Sequence, residues 1–266
     1  MSSIKVNDKE IAVPGETLAV GMDALPGAGT YRDGDRILAN RLGLVMIDGR
    51  TVKLLPLSGR YIPKMGDTII CKVIDLSFSG WRLDTNSAYS AMLSMKDATS
   101  EFIQRGANLT QYYDLGDHIV CKIVNVTSQK LIDVTMKGPG LRKLKGGRVI
   151  EVDANKVPRI IGKQGSMVVM IKDATQCNIV VGQNGLIWID GQPAGEQLAV
   201  QAIRKIEKES HLSGLTDKIK EFLEKNGGQM SSRPYEENRD GNFGNNPKPN
   251  WQDRPQHQQY DNDRSE

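Results

Sequence analysis

Apolar residues in the first half of the chain fall mostly at every second position, the spacing of strands with one buried face. Short runs of this kind are predicted over 36–39, 42–47 and 51–55, with Asp48-Gly49 as the hairpin turn between the last two. Together with a Gly/Pro-rich loop at 25–30 they predict a small all-β amino-terminal domain over 1–62, too short to bury much core alone. A second β segment, 63–137, is predicted to hold strands at 67–75, 81–84, 89–93, 118–126 and 130–136, with a polar helix-like piece at 96–105. The runs Gly66-Asp67-Thr68-Ile69-Ile70-Cys71-Lys72 and Gly116-Asp117-His118-Ile119-Val120-Cys121-Lys122 echo each other, and Gly34-Asp35-Arg36-Ile37 shares their start. A Gly-Asp turn leading into a period-two strand predicts two strands of one barrel here, rather than duplicated domains.

From residue 147 the period changes. An alternating strand at 147–152 leads to a helix start at Asn155-Lys156-Val157-Pro158, and Met167, Met170 and Ile171 recur at helical spacing. Two β-branched runs, 177–181 and 186–189, flank Gly182-Gln183-Asn184-Gly185, which carries an Asn-Gly hairpin signal. Leu198, Ala199, Ala202, Ile203 and Ile206 then line one face of a helix at 196–209. A break at 211–214 precedes a second amphipathic helix at 215–225. Between the first two helical patterns lies Ile161-Gly162-Lys163-Gln164-Gly165-Ser166, where a Gly at each end of a two-residue turn lets another backbone approach. With Lys163 at its tip it is a candidate phosphate clamp; its bland alternative is a helix-capping or packing turn. The β-α-turn-α-β-β-α order and the Gly-x-x-Gly turn resemble a type I KH domain over 147–226. That resemblance implies that Ile161, Gly162, Lys163, Gln164, Gly165 and Ser166 hold single-stranded nucleic acid, about four nucleotides of it.

Charge alters the picture modestly. The net charge is +3, but residues 227–266 carry five Lys and Arg against seven Asp and Glu, leaving about +5 on residues 1–226. Such an excess places any nucleic-acid site locally rather than over the whole surface. Residues 229–266 are Asn, Gln, Asp, Arg, Gly and Pro with scattered aromatics, so 227–266 is expected to be a disordered polar tail. Cys71, Cys121 and Cys177 each sit in an apolar run, which predicts buried reduced thiols; no Cys or His spacing suits a metal, and no cofactor is expected. The polar start at 1–10 and the lack of a long apolar run predict a cytoplasmic protein without membrane contact. Gly27-Ala28-Gly29 lacks the Lys and Ser/Thr of a Walker loop and reads as structural. No catalytic constellation is visible, so the chain is expected not to be an enzyme.

The five strands with one irregular insertion suit an OB-fold barrel, and the pattern resembles the S-one type of that fold. Gly116-Asp117, Lys122 and the alternation 131–137 match its closing lines, whereas Phe78-Ser79-Gly80-Trp81-Arg82 replaces the usual glycine-and-aromatic second strand. Candidate RNA contacts on the barrel are Phe78, Trp81 and Tyr89 for stacking, with Lys72, Arg82, Lys96, Arg105 and Lys122 for phosphates. The equally weighted alternative for each is a barrel-filling ring or a solvated charge. Residues 138–146 read as a Gly/Pro-broken basic linker in which Arg142, Lys143 and Lys145, with Arg148 just beyond, either guide RNA between modules or only solubilise.

A small β domain, an S-one-type barrel and a type I KH domain in that order resemble the RNA-binding cap subunit of the archaeal exosome, over about 4–225. The runs 161–167 and 182–189 carry the likeness most closely. The resemblance implies a non-catalytic subunit, three per assembly, alone or mixed with another cap protein. They would sit on a hexameric ring of RNase-PH-like subunits and thread single-stranded RNA 3′ end first toward phosphorolytic sites. The amino-terminal domain would dock on the ring, and Gly182, Asn184 and Gly185 would form a structural turn packed against the barrel rather than an RNA contact. A stand-alone OB/KH adaptor in transcription or translation remains the alternative. A polynucleotide phosphorylase has the two modules in reverse order behind a large catalytic body.

Overall fold

The computed structural model describes residues 3–101, 103, 104, 106–210 and 214–227. The expected disordered tail, apart from Gly227, and Arg105 lie outside these residues.

The amino-terminal domain is all-β. Its strands are β1 (Ser3–Ile4), β2 (Ile11–Ala12), β3 (Thr17–Val20), β4 (Leu25–Pro26), β5 (Thr30–Asp33), β6 (Arg36–Ala39), β7 (Gly43–Asp48) and β8 (Thr51–Pro56). They form two four-stranded sheets, ordered β1-β3-β6-β5 and β2-β7-β8-β4. Leu18, Ile37, Val45 and Val52 are fully buried in its core. The predicted hairpin is the β7–β8 turn, with Asp48 opposite Thr51, whereas Gly34-Asp35 forms the turn between β5 and β6.

The second module is a barrel of β9 (Thr68–Ser77), β10 (Gly80–Asp84), β11 (Ser90–Ser94), β12 (His118–Val126) and β13 (Ile132–Thr135), with a short helix α1 (Met95–Ala98). Each strand pairs with the next around the ring β9-β10-β11-β13-β12, and β12 closes on β9; only β11 and β13 run parallel. This is the five-stranded OB arrangement. The two Gly-Asp runs lead into the neighbouring strands β9 and β12, whose inward residues Ile69, Cys71, Ile119 and Cys121 are fully buried. The Cys71 and Cys121 sulfurs lie 3.5 Å apart inside the barrel, and burial pushes the Cys71 thiol well up. The helix-like piece expected at 96–105 is helical only from Met95 to Ala98.

The basic linker expected at 138–146 is not a free connector. Arg142–Leu144 forms β14, a sixth strand paired antiparallel with β12, His118 opposite Leu144 and Val120 opposite Arg142. The open backbone edge of β12 supplies a partner that local composition does not announce.

The third module comprises β15 (Arg148–Glu151), α2 (Val157–Ile161), α3 (Ser166–Thr175), β16 (Asn178–Val181), β17 (Leu186–Asp190), α4 (Pro193–Glu209) and α5 (Leu215–Lys225). Its sheet order is β15-β17-β16, wholly antiparallel, and the βααββα sequence is that of a type I KH domain. The helices cover one face, where Ile160, Ile171, Ile187, Ile203 and Ile219 are fully buried. The other face packs on the barrel through Trp188, which joins Ile70, Val120 and Leu144 in a small buried cluster.

Candidate RNA-binding surface

The turn between α2 and α3 has the backbone of a clamp. Gly162 (φ +76°), Gln164 (φ +54°) and Gly165 (φ +80°) all adopt positive φ, which L side chains tolerate poorly. The two glycines serve different ends. A Cβ on Gly162 would stand 2.7 Å from Met167 Cβ and 2.8 Å from Met167 N, so this glycine packs the turn onto α3. A Cβ on Gly165 would meet nothing within 4 Å; that side of the turn is open. Lys163 and Gln164 are exposed at the tip, while Ile161 and Ser166 are half-buried at its base. Sequence reading passed over Arg159, which is exposed in the last turn of α2, three residues before Gly162. Neither Arg159 nor Lys163 forms an ion pair among the described residues.

The barrel residues do not form one patch. Phe78 is fully exposed at the tip of the β9–β10 turn. The first residue of α1 donates there, Met95 N–H to Ser79 O at 3.0 Å, which brings exposed Lys96 to the same end. Trp81, a proposed stacking residue, is instead a core residue with 0% exposure. Its indole N–H donates to Tyr113 O at 2.9 Å and its ring meets Tyr113 edge-on, centroids 5.2 Å apart. Period-two alternation along β10 turns Trp81 and Leu83 inward and Arg82 outward. No base can reach Trp81, so it leaves the candidate set. Arg82, Lys72 and Lys122 are exposed on the outer wall, but Arg82 lies opposite Asp75 and Lys72 opposite Asp84, which makes that wall mixed in sign. Tyr89 is partly exposed on the loop that joins β10 to β11, and Asn86 of that loop contacts the KH module.

The basic stretch is similarly divided. Lys143 is ion-paired with Asp117, and Arg142 lies over the Trp188 ring, 5.8 Å from its centroid. Lys145 and Arg148 remain exposed. Burial acts to raise the Asp117 carboxyl, but the Lys143 ammonium and the Asp114 backbone outweigh it and hold the carboxyl below its ordinary value. Neighbouring His118 is held below the ordinary imidazole value, chiefly by burial and then by Lys72.

The Gly182–Gly185 turn joins the two modules. Lys72 is the first residue of β9 opposite β10, so Thr68 and Ile70, which precede it and face the same way, have no strand partner there. The turn replaces it. Gln183 N–H donates to Thr68 O at 2.9 Å. The Asn184 amide donates to Ile70 O at 2.7 Å and to Thr85 O at 2.8 Å, and its oxygen accepts from Ile70 N–H at 3.3 Å. Gly182 is required for this approach, since a Cβ would stand 2.8 Å from Ile70 N, and Gly185 (φ +83°) lies against the Val152 carbonyl. Asn184 is buried and fully engaged with protein, leaving no group on its side chain for RNA.

An OB barrel locked to a type I KH domain with an open Gly-x-x-Gly turn defines a class of modular nucleic-acid-binding architecture. The sequence profile of the KH domain matches residues 147–195. The exosome complex component Rrp4 of Pyrococcus furiosus is 45% identical over 227 residues, covering 84% of this chain and 86% of its own. Rrp4 of Thermoplasma acidophilum is 41% identical over 229 residues, covering 84% and 95%. A crystal structure assigned to an exosome complex RNA-binding protein superposes with a TM-score of 0.58 at 32% identity, covering 63% of this chain and 97% of that one. The chain belongs to the Rrp4 family of exosome complex components.

Proposed function

We propose that this protein is a non-catalytic RNA-binding cap subunit of the archaeal exosome. Its amino-terminal domain docks on a hexameric ring of RNase-PH-like subunits, and its barrel and KH domain lead the 3′ end of single-stranded RNA to the pore for 3′-to-5′ degradation or tailing. Three such caps, alone or mixed with another cap protein, share one ring, so several weak RNA sites act together. The observation that carries the RNA role is the Gly162–Gly165 turn, with its open side at Gly165 and Lys163 and Arg159 beside it, neither of them ion-paired among the described residues. Docking is supported by a continuous apolar row across the amino-terminal sheet, where Ile11 (59% exposed) lies opposite Leu44 and Leu44 opposite Leu55 (52% exposed).

The test places two carboxylates at the exposed tip, Lys163→Asp with Gln164→Asp, and spares Gly162, whose substitution would press on Met167. Reversing the local charge should lower affinity for a single-stranded RNA 12-mer by roughly tenfold or more at moderate salt. Unfolding temperature and recovery with ring subunits should not change. Unchanged affinity would move the RNA site to the barrel. Failure of the unaltered chain to co-purify with RNase-PH-like subunits would favour the stand-alone adaptor.

A further inference from the structure

A cleft of about 580 Å³ lies between barrel and KH sheet, walled by Asp117, His118 and Leu144 on one side and Val149, Glu151 and Trp188 on the other. Two sheet edges border it, because among the described residues β14 is the outermost strand of the barrel sheet and β15 the outermost strand of the KH sheet. The ladder decides which backbone groups on β15 are free. Val152 N–H donates to Gly185 O at 2.8 Å, in register with Ile150 opposite Ile187 and Arg148 opposite Ile189. Residues 148, 150 and 152 therefore turn their peptide groups toward β17, and Val149 and Glu151 turn theirs to the open edge. The same alternation holds on β14. Val73 N–H donates to Asp117 O, so Asp117 faces β9 while His118 and Val120 face Leu144 and Arg142, leaving the Lys143 peptide groups outward.

We propose that the free edge of β15 is a docking site for an extended peptide of a partner protein, added as a fourth strand beyond β15. The outward N–H and C=O groups of Val149 and Glu151 supply the main-chain hydrogen bonds, and alternate side chains of the peptide enter the cleft. Those side chains meet the Glu151 carboxylate, one oxygen of which accepts from Asn86 while Asp117 is held by Lys143, and the apolar Leu144, Val149 and Trp188. The peptide is therefore one in which a Lys or Arg alternates with apolar residues. RNA is disfavoured in the same place, since Lys143 is already paired with Asp117 and the remaining carboxylate repels phosphate.

The experiment selects phage-displayed random nonapeptides on the full-length protein and follows backbone amide exchange with the enriched peptide. Enrichment of alternating basic and apolar sequences is expected, with exchange at Val149 and Glu151 slowed at least tenfold and exchange at Ile150 and Val152 unchanged. Glu151→Pro, which deletes an outward donor at an edge where Pro is admitted, should weaken the peptide at least tenfold. If that variant unfolds, the amide pattern of the unaltered protein decides. No enrichment, binding that leaves the two outward amides unprotected, or protection of those amides by a second copy or by the RNA 12-mer alone would each overturn the proposal.

Discussion

Truncating Asn184 to Ala probes how the barrel and KH domain are held together. The side chain is 1% exposed, and its loss strands the Ile70 N–H, the Ile70 C=O and the Thr85 C=O. A hydrogen bond contributes about 1 kcal/mol net, and a buried group left unsatisfied costs roughly 1–3 kcal/mol. Some relaxation onto water will lessen the penalty, so the lower figure is taken for each and Asn184→Ala should lose about 3 kcal/mol. Asn184→Asp should lose more, because the single Nδ2 that donates to both carbonyls becomes a carboxylate oxygen facing them. Gln183→Ala should lose under about 0.5 kcal/mol, since Gln183 serves the barrel through its backbone N–H. Urea unfolding of the full chain gives the energies, and amide exchange reads the junction directly. The Ile70 amide should exchange about 100-fold faster in Asn184→Ala, the factor that 3 kcal/mol represents. A loss below about 1 kcal/mol with the Ile70 amide still protected would refute the view that this turn completes the β9 edge.

Other outcomes follow from burial and charge. Phe78→Ala should leave the unfolding temperature unchanged and weaken RNA by about 1–3 kcal/mol, the range of one base stack. Trp81→Phe should do the reverse, lowering stability by about 1–2 kcal/mol and leaving RNA affinity within about twofold; a swap of the two phenotypes would refute the assignment. For pH, His118 is depressed in the folded chain, while the unfolded chain takes up the proton near pH 6.5. Between the two values the unfolded state binds more protons, so this contribution is complete above the unfolded value and is lost as pH falls toward the folded one. Urea midpoints from pH 8 to pH 5 should fall less steeply in His118→Asn than in the unaltered chain. Asp117 acts in the same sense at lower pH, its contribution vanishing as pH drops through its lowered carboxyl value.

Much of this architecture is legible in local pattern. The change from period two to helical spacing after residue 147, the Pro158 helix start and the Asn184-Gly185 turn place the KH elements within a few residues. The paired Gly-Asp runs mark β9 and β12, and the structure sets those strands side by side. The inward position of Trp81 is legible too, for alternation with Leu83 turns it away from solvent, even though an aromatic beside an arginine also suits a stacking site. What local pattern does not carry is pairing decided by tertiary context. Arg142-Lys143-Leu144, between glycines and a proline, has no strand signature of its own and becomes β14 only because β12 presents an open edge. The shared role of Gln183 and Asn184 likewise depends on β10 ending at Asp84, a hundred residues away in the chain.

Because β14 is hydrogen-bonded to the barrel and only Lys145, Gly146 and Gly147 separate it from β15, the connection holds no slack. If RNA is held at the barrel and at the Gly162–Gly165 turn as proposed, the two sites behave as marks on a ruler rather than as hands on a leash. Strand length between them is set by geometry, so an RNA too short to reach from the barrel to the Gly162–Gly165 turn gains nothing from the second site however high its concentration. Lengthening the segment by a residue would leave this spacing unchanged, because β14 stays paired with β12 and the Gly182–Gly185 turn still holds β9.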